Sequence, residues 1–287
     1  SGAESFNQTI GGWDVSAVAL VVGEEITTGF SSMFNNATSF NQDLSGWCVT
    51  DIAAEPYWFD RNADAWDETN KPKWGQPCAF SLAANGVTIL CDAAAVGHSA
   101  TVNGISVTKR TKDQITPENA ANTCTSGITD LSFLFEDELT FNGDISHWDT
   151  SDVTTFRRLF SGASQFNQPI GAWDTSNVTT FEALFLNAAR FNQPIGDWDT
   201  SKVTNLAVTF SGAQAFNQSI GNWNTTQVTD LFGTFAGAVN FDQPIGGWKT
   251  EKVENMAALF QGALKFNQPI GDWNTSSVRS MTRMFWE

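Results

Sequence analysis

Apolar and polar positions along this chain recur with one fixed period. Phenylalanine stands at Phe141, Phe166, Phe191, Phe216, Phe241 and Phe266, and tryptophan at Trp148, Trp173, Trp198, Trp223, Trp248 and Trp273. Ile145 to Ile270, Val153 to Val278 and Phe160 to Phe285 keep the same step of 25. Several columns held in phase over so many periods are the signature of stacked coils, none of which can bury its apolar face alone. The expected fold is an α+β solenoid.

One coil shows the parts. Within "SNVTTFEALFLNA", Val178, Phe181, Leu184, Phe185 and Ala188 fall at steps of 3, 3, 1 and 3, a stripe that predicts a short helix. A hydroxyl precedes each valine by two places, at Ser151, Ser176, Ser201, Thr226 and Ser276, with Ser16 and Thr50 earlier, and suits a helix N-cap. Glu251 breaks that column, and Thr250 can cap there instead. The small Ala163, Ala188, Ala213, Ala238 and Ala263 stand where neighbouring coils must approach closely.

The other half of the coil, "FNQPIGxW", is too short and glycine-rich for a helix. Pro169, Pro194, Pro244 and Pro269 lack the N–H of a ladder bond, so short, broken strands are expected, with Gly171 to Gly271 making the turn. The Asn142 to Asn267 column, with Asp242 as variant, has two readings: an internal ladder that bonds backbone, which an amide can do, or an exposed polar stripe. The Thr150 to Thr275 column becomes Val15 and Val49 in the early coils and is expected to be half buried.

The rhythm divides the chain. Residues 1–52 form a first short array, in which Phe6 and Phe40 stand 34 apart, one period plus an insertion around Val21 to Ser32. Residues 53–78, with Trp58, Trp66 and Trp74 between two cysteines, are expected to cap it. Residues 79–125 read as a β-rich linker and N-terminal cap. "NGVTILC" and "ATVNGISVTKR" carry strand alternation with Asn-Gly turns, and "TPENAANTC" carries a short helix with Thr116 as cap and Pro117 at its first position. The second array runs from 126 to 287. Its abrupt end at "MTRMFWE" suggests a piece of a longer mature chain.

The stretch "LFSGASQFNQPIGAWDTSNV", from Leu159 to Val178, resembles the repeat of the BspA-like leucine-rich repeat surface proteins, in the class with a period of this length seen in mycoplasma lipoproteins and secreted proteins of marine bacteria. About seven regular and two looser coils carry the likeness. It implies a leucine-rich-repeat-like right-handed coil, a short broken strand and short helix per turn, with a small β-rich inserted cap. It also implies an exposed or secreted interaction module, in some cases an adhesin.

Composition narrows the partners. The 287 residues carry a formal net charge of −16, which argues against a nucleic-acid ligand. No apolar run approaches a membrane span, and no leader is visible at the start. The four cysteines, Cys48, Cys78, Cys91 and Cys124, allow three pairings. Cys48–Cys78 and Cys91–Cys124 are favoured because each staples one non-repeating segment. Metal ligation is the alternative, without the spacing a zinc site needs. Disulfides place the chain in an oxidising compartment, outside the cell or on its surface.

Candidate chemistry is sparse. His98 and His147 are far apart, and the motifs of nucleophilic, phosphate and zinc sites are missing, so no enzyme is expected and no resident cofactor. Asp149, Asp174 and Asp199 form a file one coil apart, where Ca²⁺ would relieve repulsion; the alternative is that each caps its own turn. Lys249 interrupts that file. A glycan platform needs exposed tryptophans, for which Trp58, Trp66 and Trp74 are the candidates. Ice binding needs two coplanar threonine files, and the Thr154–Thr229 file turns into Glu254 and Arg279. A protein or extracellular-matrix partner would meet positions where coils differ: the slot before tryptophan, His147, Ala172, Asp197, Asn222, Gly247 and Asp272, or the helix backs at Arg157-Arg158, Glu182 and Ala207. The expected role is adhesion or protein–protein interaction. A structural spacer and a calcium-stabilised module are the alternatives. Sequons at Asn7, Asn36, Asn177, Asn217, Asn224 and Asn274 follow from the richness in Asn and Thr.

Overall fold

The computed structural model describes all residues except 1–2, 12, 14, 16–17, 19, 23–25, 51 and 77, and leaves out the side chains of 19–28. Ser16, one of the expected caps, lies outside the described residues. The chain groups into two compact units, 1–83 with 89–109, and 84–88 with 110–287.

In the second unit the sequence period is a physical step. Parallel bridges join Asp130 to Thr155, Thr155 to Thr180, Thr180 to Asn205, and onward to Ser280, each partner one period on. Inward rings follow the same step. Phe166, Phe191 and Phe216 stack at centroid distances of 5.9 and 6.1 Å, within 9° of parallel. Trp198 and Trp223 stack at 6.5 Å and 6°. Inside a coil, Phe185 lies 3.8 Å from Phe191. The expected inward columns are buried, the Phe, Ile and Val members almost completely from Phe141 through Val253. Each fully buried ring contributes roughly 1.5–3 kcal/mol, so this pile is the main source of stability.

The tryptophans also perform a polar task. The indole N–H of Trp198 donates to the Ile170 carbonyl at 3.1 Å, and Trp173, Trp223, Trp248 and Trp273 treat Ile145, Ile195, Ile220 and Ile245 in the same way. Each ring therefore adds a second, inter-coil donor to a buried carbonyl that already accepts a backbone N–H within its own coil, as the Ile170 carbonyl does from Trp173. The threonine column, expected to be half buried, is buried from Thr150 through Thr250 and exposed at Thr275. Thr175 and Thr200 are 2 % exposed, and their hydroxyls donate to Asp199 and Asn224 carbonyls of the next coil.

The expected helix is replaced by interlocked turns. Every apolar residue of the stripe, Val178, Phe181, Leu184, Phe185 and Ala188, is buried as predicted, but the backbone follows another rule. The N–H groups of Phe181, Ala183, Phe185 and Asn187 donate to carbonyls of the next coil, Asn205, Ala207, Thr209 and Ser211. The intervening Leu184, Leu186 and Ala188 donate three residues back. An α-helix needs every N–H for bonds four residues back, and half of these are claimed by the neighbouring coil. Positive φ angles at Ala183 (55°) and Asn187 (58°) fit the third position of such turns and exclude a helix. Among the described residues the only helical elements are 3-10 turns at Glu68–Asn70, Lys112–Gln114 and Ala120–Asn122, the last standing where a short helix was expected after Pro117.

The N-cap roles are also exchanged. The side chains of Asp174 and Asp199 accept from the backbone N–H of Ser176 and Ser201, both at 2.9 Å, so the residue after tryptophan organises the turn and the serine is its donor. In the "FNQPIGxW" half of the second unit's coils no regular strand forms. Pro169, Pro194, Pro244 and Pro269 lie away from the core there, as a residue without an N–H permits. Gly196 has an ordinary φ; it is required because a Cβ would lie 2.6 Å from the Ser219 carbonyl oxygen.

The asparagine column joins both of its expected readings, being partly exposed and a ladder. Asn192 Oδ1 accepts from the Asn217 N–H at 2.9 Å and from Gln218 Nε2 at 3.0 Å. Asn192→Ala leaves both donors without this acceptor and should cost about 1–2 kcal/mol in urea unfolding, whereas Asn222→Ala, on the outer slot before tryptophan, should stay within about 0.5 kcal/mol.

The first unit uses the same device less regularly. Phe40 stacks on Phe6 at 5.8 Å, and Trp47 donates to the Ile10 carbonyl. Residues expected to cap this array form another coil on it: Ser32, Phe34 and Asn36 donate to carbonyls of Tyr57, Phe59 and Arg61. Phe59 and Trp66 are buried, and Trp74 packs against the same cluster. Strands β1 (Leu20–Val22) and β2 (Ile26–Thr28) pair antiparallel within the insertion. Downstream, β3 (Ser81–Leu82) pairs with β4 (Ile89–Leu90), and β5 (Ser99–Val102) with β6 (Ile105–Lys109) around Asn103-Gly104. In the second unit β7 (Thr123–Cys124) and Ala120 close over the first coil, and the Ala120 carbonyl accepts the Trp148 N–H.

Candidate interaction surface

Two sets of positions vary from coil to coil on this scaffold. The first is the slot before tryptophan. Asp197, Asn222 and Asp272 lie outside the core there, as expected. His147 does not: it is 2 % exposed, and its Nε2 lies 3.0 Å from the Thr123 carbonyl oxygen. Burial holds its imidazole below the usual histidine range, which the Thr123 contact only partly offsets. His147 is thus a packing residue under the first coil, and the slot is not a continuous surface.

The second set lies on the turns that donate along the stack. Here the positions are Ser132, Arg157, Glu182, Ala207, Phe232, Ala257 and Thr282, with Phe133, Arg158, Ala183, Val208, Gly233, Ala258 and Arg283 beside them. The inter-coil bonds run between these residues, for example Arg158 N–H to the Glu182 carbonyl at 2.9 Å, so their backbones are fixed; Ser132, Ala183, Ala207, Gly233 and Ala258 are buried, and the side chains of the others vary outside the core. Arg157 pairs with Glu182 at 2.9 Å and lies over the Phe133 ring. Arg158 pairs with Glu136 at 3.0 Å, and Arg279 with Glu254 at 3.0 Å. Between these groups the face turns apolar: Phe232 is 43 % exposed and Val208 and Ala257 are half-buried, whereas Ala207, expected as an outward position, and Gly233 are buried because the small side chain sits under its neighbours. Val208 touches the Gly233 position, where an added Cβ would meet its methyl at 3.1 Å. Arg157, Glu182 and Ala207 were legible as variable positions. The sequence signal for Phe232 is its column, which read from period to period shows one aromatic among small and charged residues.

The carboxylate file does not converge. Asp149 is 5 % exposed, with one oxygen accepting from the Ser126 hydroxyl at 2.6 Å and the other from Ser151. Asp174 and Asp199 are exposed and bonded within their own turns, and the Ser201 N–H and hydroxyl hold Asp199 below the usual carboxylate range. Among the described residues no three His, Cys, Asp or Glu side chains gather as an ion-binding group. Cys48 and Cys78 are joined, with Cα atoms 5.0 Å apart. Cys91 and Cys124 are disulfide-bonded as well.

One carboxyl of the first unit, Glu55, is held near neutrality. Partial desolvation of an otherwise exposed side chain, then the neighbouring Asp60, raise Glu55 to about 7, while Asp60 is held low by Lys71, which also pairs with Glu68 at 2.5 Å. A carboxyl raised in the folded state stabilises fully below its unfolded value and loses that contribution as pH rises through about 7. The first unit should therefore melt lower at about pH 8 than at about pH 5.5, and Glu55→Gln should remove most of that difference. Paired thermal melts at the two pH values check this.

No curated protein and no solved structure matches the chain. The family model described as "Mycoplasma protein of unknown function, DUF285" matches residues 1–76, 106–219 and 193–287. Those windows take in the coils of both units and leave out 77–105, where the periodic columns are missing. The chain belongs to DUF285, a repeat family of mycoplasma proteins of unknown function.

Proposed function

We propose that this chain is a non-enzymatic module of a secreted or cell-surface protein. In this reading it is a leucine-rich-repeat-like solenoid of the BspA-like kind, and it holds a protein or matrix ligand on the turn face of its second unit. The observation that carries the reading is the contrast between columns. Inward positions repeat almost without change, whereas Arg157, Glu182, Ala207, Phe232 and Ala257 differ on one fixed backbone. An exposed aromatic among small residues, flanked by charges that neutralise each other, matches the anatomy of an interface centre and rim. Two oxidised cysteine pairs fit an extracellular location, and no described helix is long and apolar enough to cross a membrane.

The test is adhesion of beads coated with the chain to cultured cells and to immobilised matrix proteins, with and without calcium. Wild type should adhere, and Phe232→Asp should lose most of the adhesion while keeping its melting temperature. A structural spacer is the second reading, favoured by the uninterrupted stack from Phe141 to Phe266. Adhesion absent on every surface, or unchanged in Phe232→Asp, would favour the spacer. Loss of adhesion on calcium removal alone would favour the calcium-stabilised module.

A further inference from the structure

The first unit carries an aromatic platform that neither its core nor the surface proposed above uses. Tyr57 and Trp58 stack on each other at 4.5 Å and 24°, and remain 63 % and 43 % exposed. Tyr57 is the chain's only tyrosine. The Arg61 guanidinium sits 4.6 Å over the Trp58 ring. Trp47 and Trp66 of the same unit are buried, whereas Trp58, like Trp13 at the start of the unit, lies outside the core. Next to Arg61, Asn62 donates to Asn36 Oδ1 at 2.7 Å. That bond leaves Asn62 Oδ1 and a proton of Asn36 Nδ2 for another partner.

We infer that Tyr57 and Trp58, with Arg61 and the Asn36–Asn62 amide pair, form a binding site for a neutral hexopyranose unit of a glycan. A sugar ring has an apolar C–H face that lies flat on an aromatic ring, and hydroxyls at its edge that suit amide and guanidinium groups. Stacked rings held by an arginine are pre-ordered, so little freedom is lost on binding. A protein hot spot would need a wider apolar surround that excludes water. From Glu55 to Asn62, however, the exposed side chains other than the two rings are polar: Glu55, Arg61 and Asn62. The charge of −16, with Asp64 exposed close by in the sequence, disfavours uronate-rich or sulfated glycans and leaves a neutral one. The site lies wholly in the first unit and does not depend on the adhesive face of the second.

Affinity electrophoresis of the full chain through gels containing soluble β-1,3-glucan, α-mannan or amylose tests this, with dextran sulfate as the anionic arm. At least one neutral glucan or mannan should retard the chain, and dextran sulfate should not. Tyr57→Ala and Trp58→Ala should weaken retardation on the order of tenfold, and Phe285→Ala, which removes an exposed ring in the other unit, should behave as wild type. Tyr57 is so exposed that its truncation should leave the melting temperature unchanged, which circular dichroism verifies. Retardation by none of the neutral polymers, by dextran sulfate instead, or to the same degree in Tyr57→Ala, would overturn the inference.

Discussion

Trp198→Ala should destabilise the second unit by about 3–5 kcal/mol, the range for truncating a large buried ring. Three losses coincide. The ring is 4 % exposed and stacks on Trp223, so its removal opens a void between coils. Phe181, 5.4 Å away, loses a neighbour. The Ile170 carbonyl loses its indole donor at 3.1 Å. The carbonyl keeps the Trp173 backbone N–H, so the void is the larger cost and the lost inter-coil bond the smaller one, and Trp198→Phe should recover much of the packing but not the bond. Position along the stack matters as well, because each coil is stabilised by its neighbours. Trp273 is 8 % exposed against 4 % for Trp198, and the Thr275 beside it is exposed, so it should cost less when truncated. Urea unfolding of the three variants measures this; a loss near 1 kcal/mol for Trp198→Ala would mean that the stacked rings are not the main source of stability.

Breaking the Cys48–Cys78 bond should produce the largest effect in the first unit. The two cysteines are separated by 30 positions, for which chain-entropy arguments give about 3.5 kcal/mol. The region has less to fall back on than the second unit. Its coils are irregular, and the bond ties the chain beside Val49, at the end of the regular rhythm, to the end of the coil containing Phe59 and Trp66. A Cys48→Ala, Cys78→Ala double variant should unfold at lower urea in the first unit, read by hydrogen exchange at Phe59 and Trp66. Exchange at Phe185 and Phe210 should not change. Equal protection in the double variant and wild type would show that packing alone holds the irregular coils.

Much of this arrangement was legible because side-chain burial follows the column, whatever the backbone does between. Phe181, Leu184 and Phe185 belong inward by their spacing and are inward. The same 3-3-1-3 spacing does not prove a helix, because interlocked turns that advance by pairs of residues place apolar groups in the same way. A signal for the turns was present in Asp137, Gly162, Asn187, Gly212, Gly237 and Gly262, a column of residues tolerant of positive φ, all of which adopt it. The companion column, Phe133, Arg158, Ala183, Val208, Gly233 and Ala258, also adopts positive φ but holds only one glycine. There tertiary hydrogen bonds override residue preference, and no local pattern could have revealed it.

The interaction surface was legible in part. Asp197, Asn222 and Asp272 lie outward as the alternation implied, while His147 is covered because residues 110–125 close over the first coil at that point. Sequence periodicity describes a coil between two equal neighbours and does not anticipate the end of a stack. The same limit applies at Tyr57, Trp58 and Phe232. Large rings belong inside by composition, and only the phase of each within its coil sends it outward.

The central claim is that each sequence period advances the chain by one rung. Spin labels at Asp152→Cys and Lys252→Cys, with the native cysteines kept as disulfides, stand four periods apart on the outer surface of the coils. Double electron–electron resonance should give a narrow distribution centred near about 19 Å, four rises of about 4.8 Å each, broadened by the label arms. A centre beyond about 30 Å, or no defined maximum, would contradict the stacked-coil account.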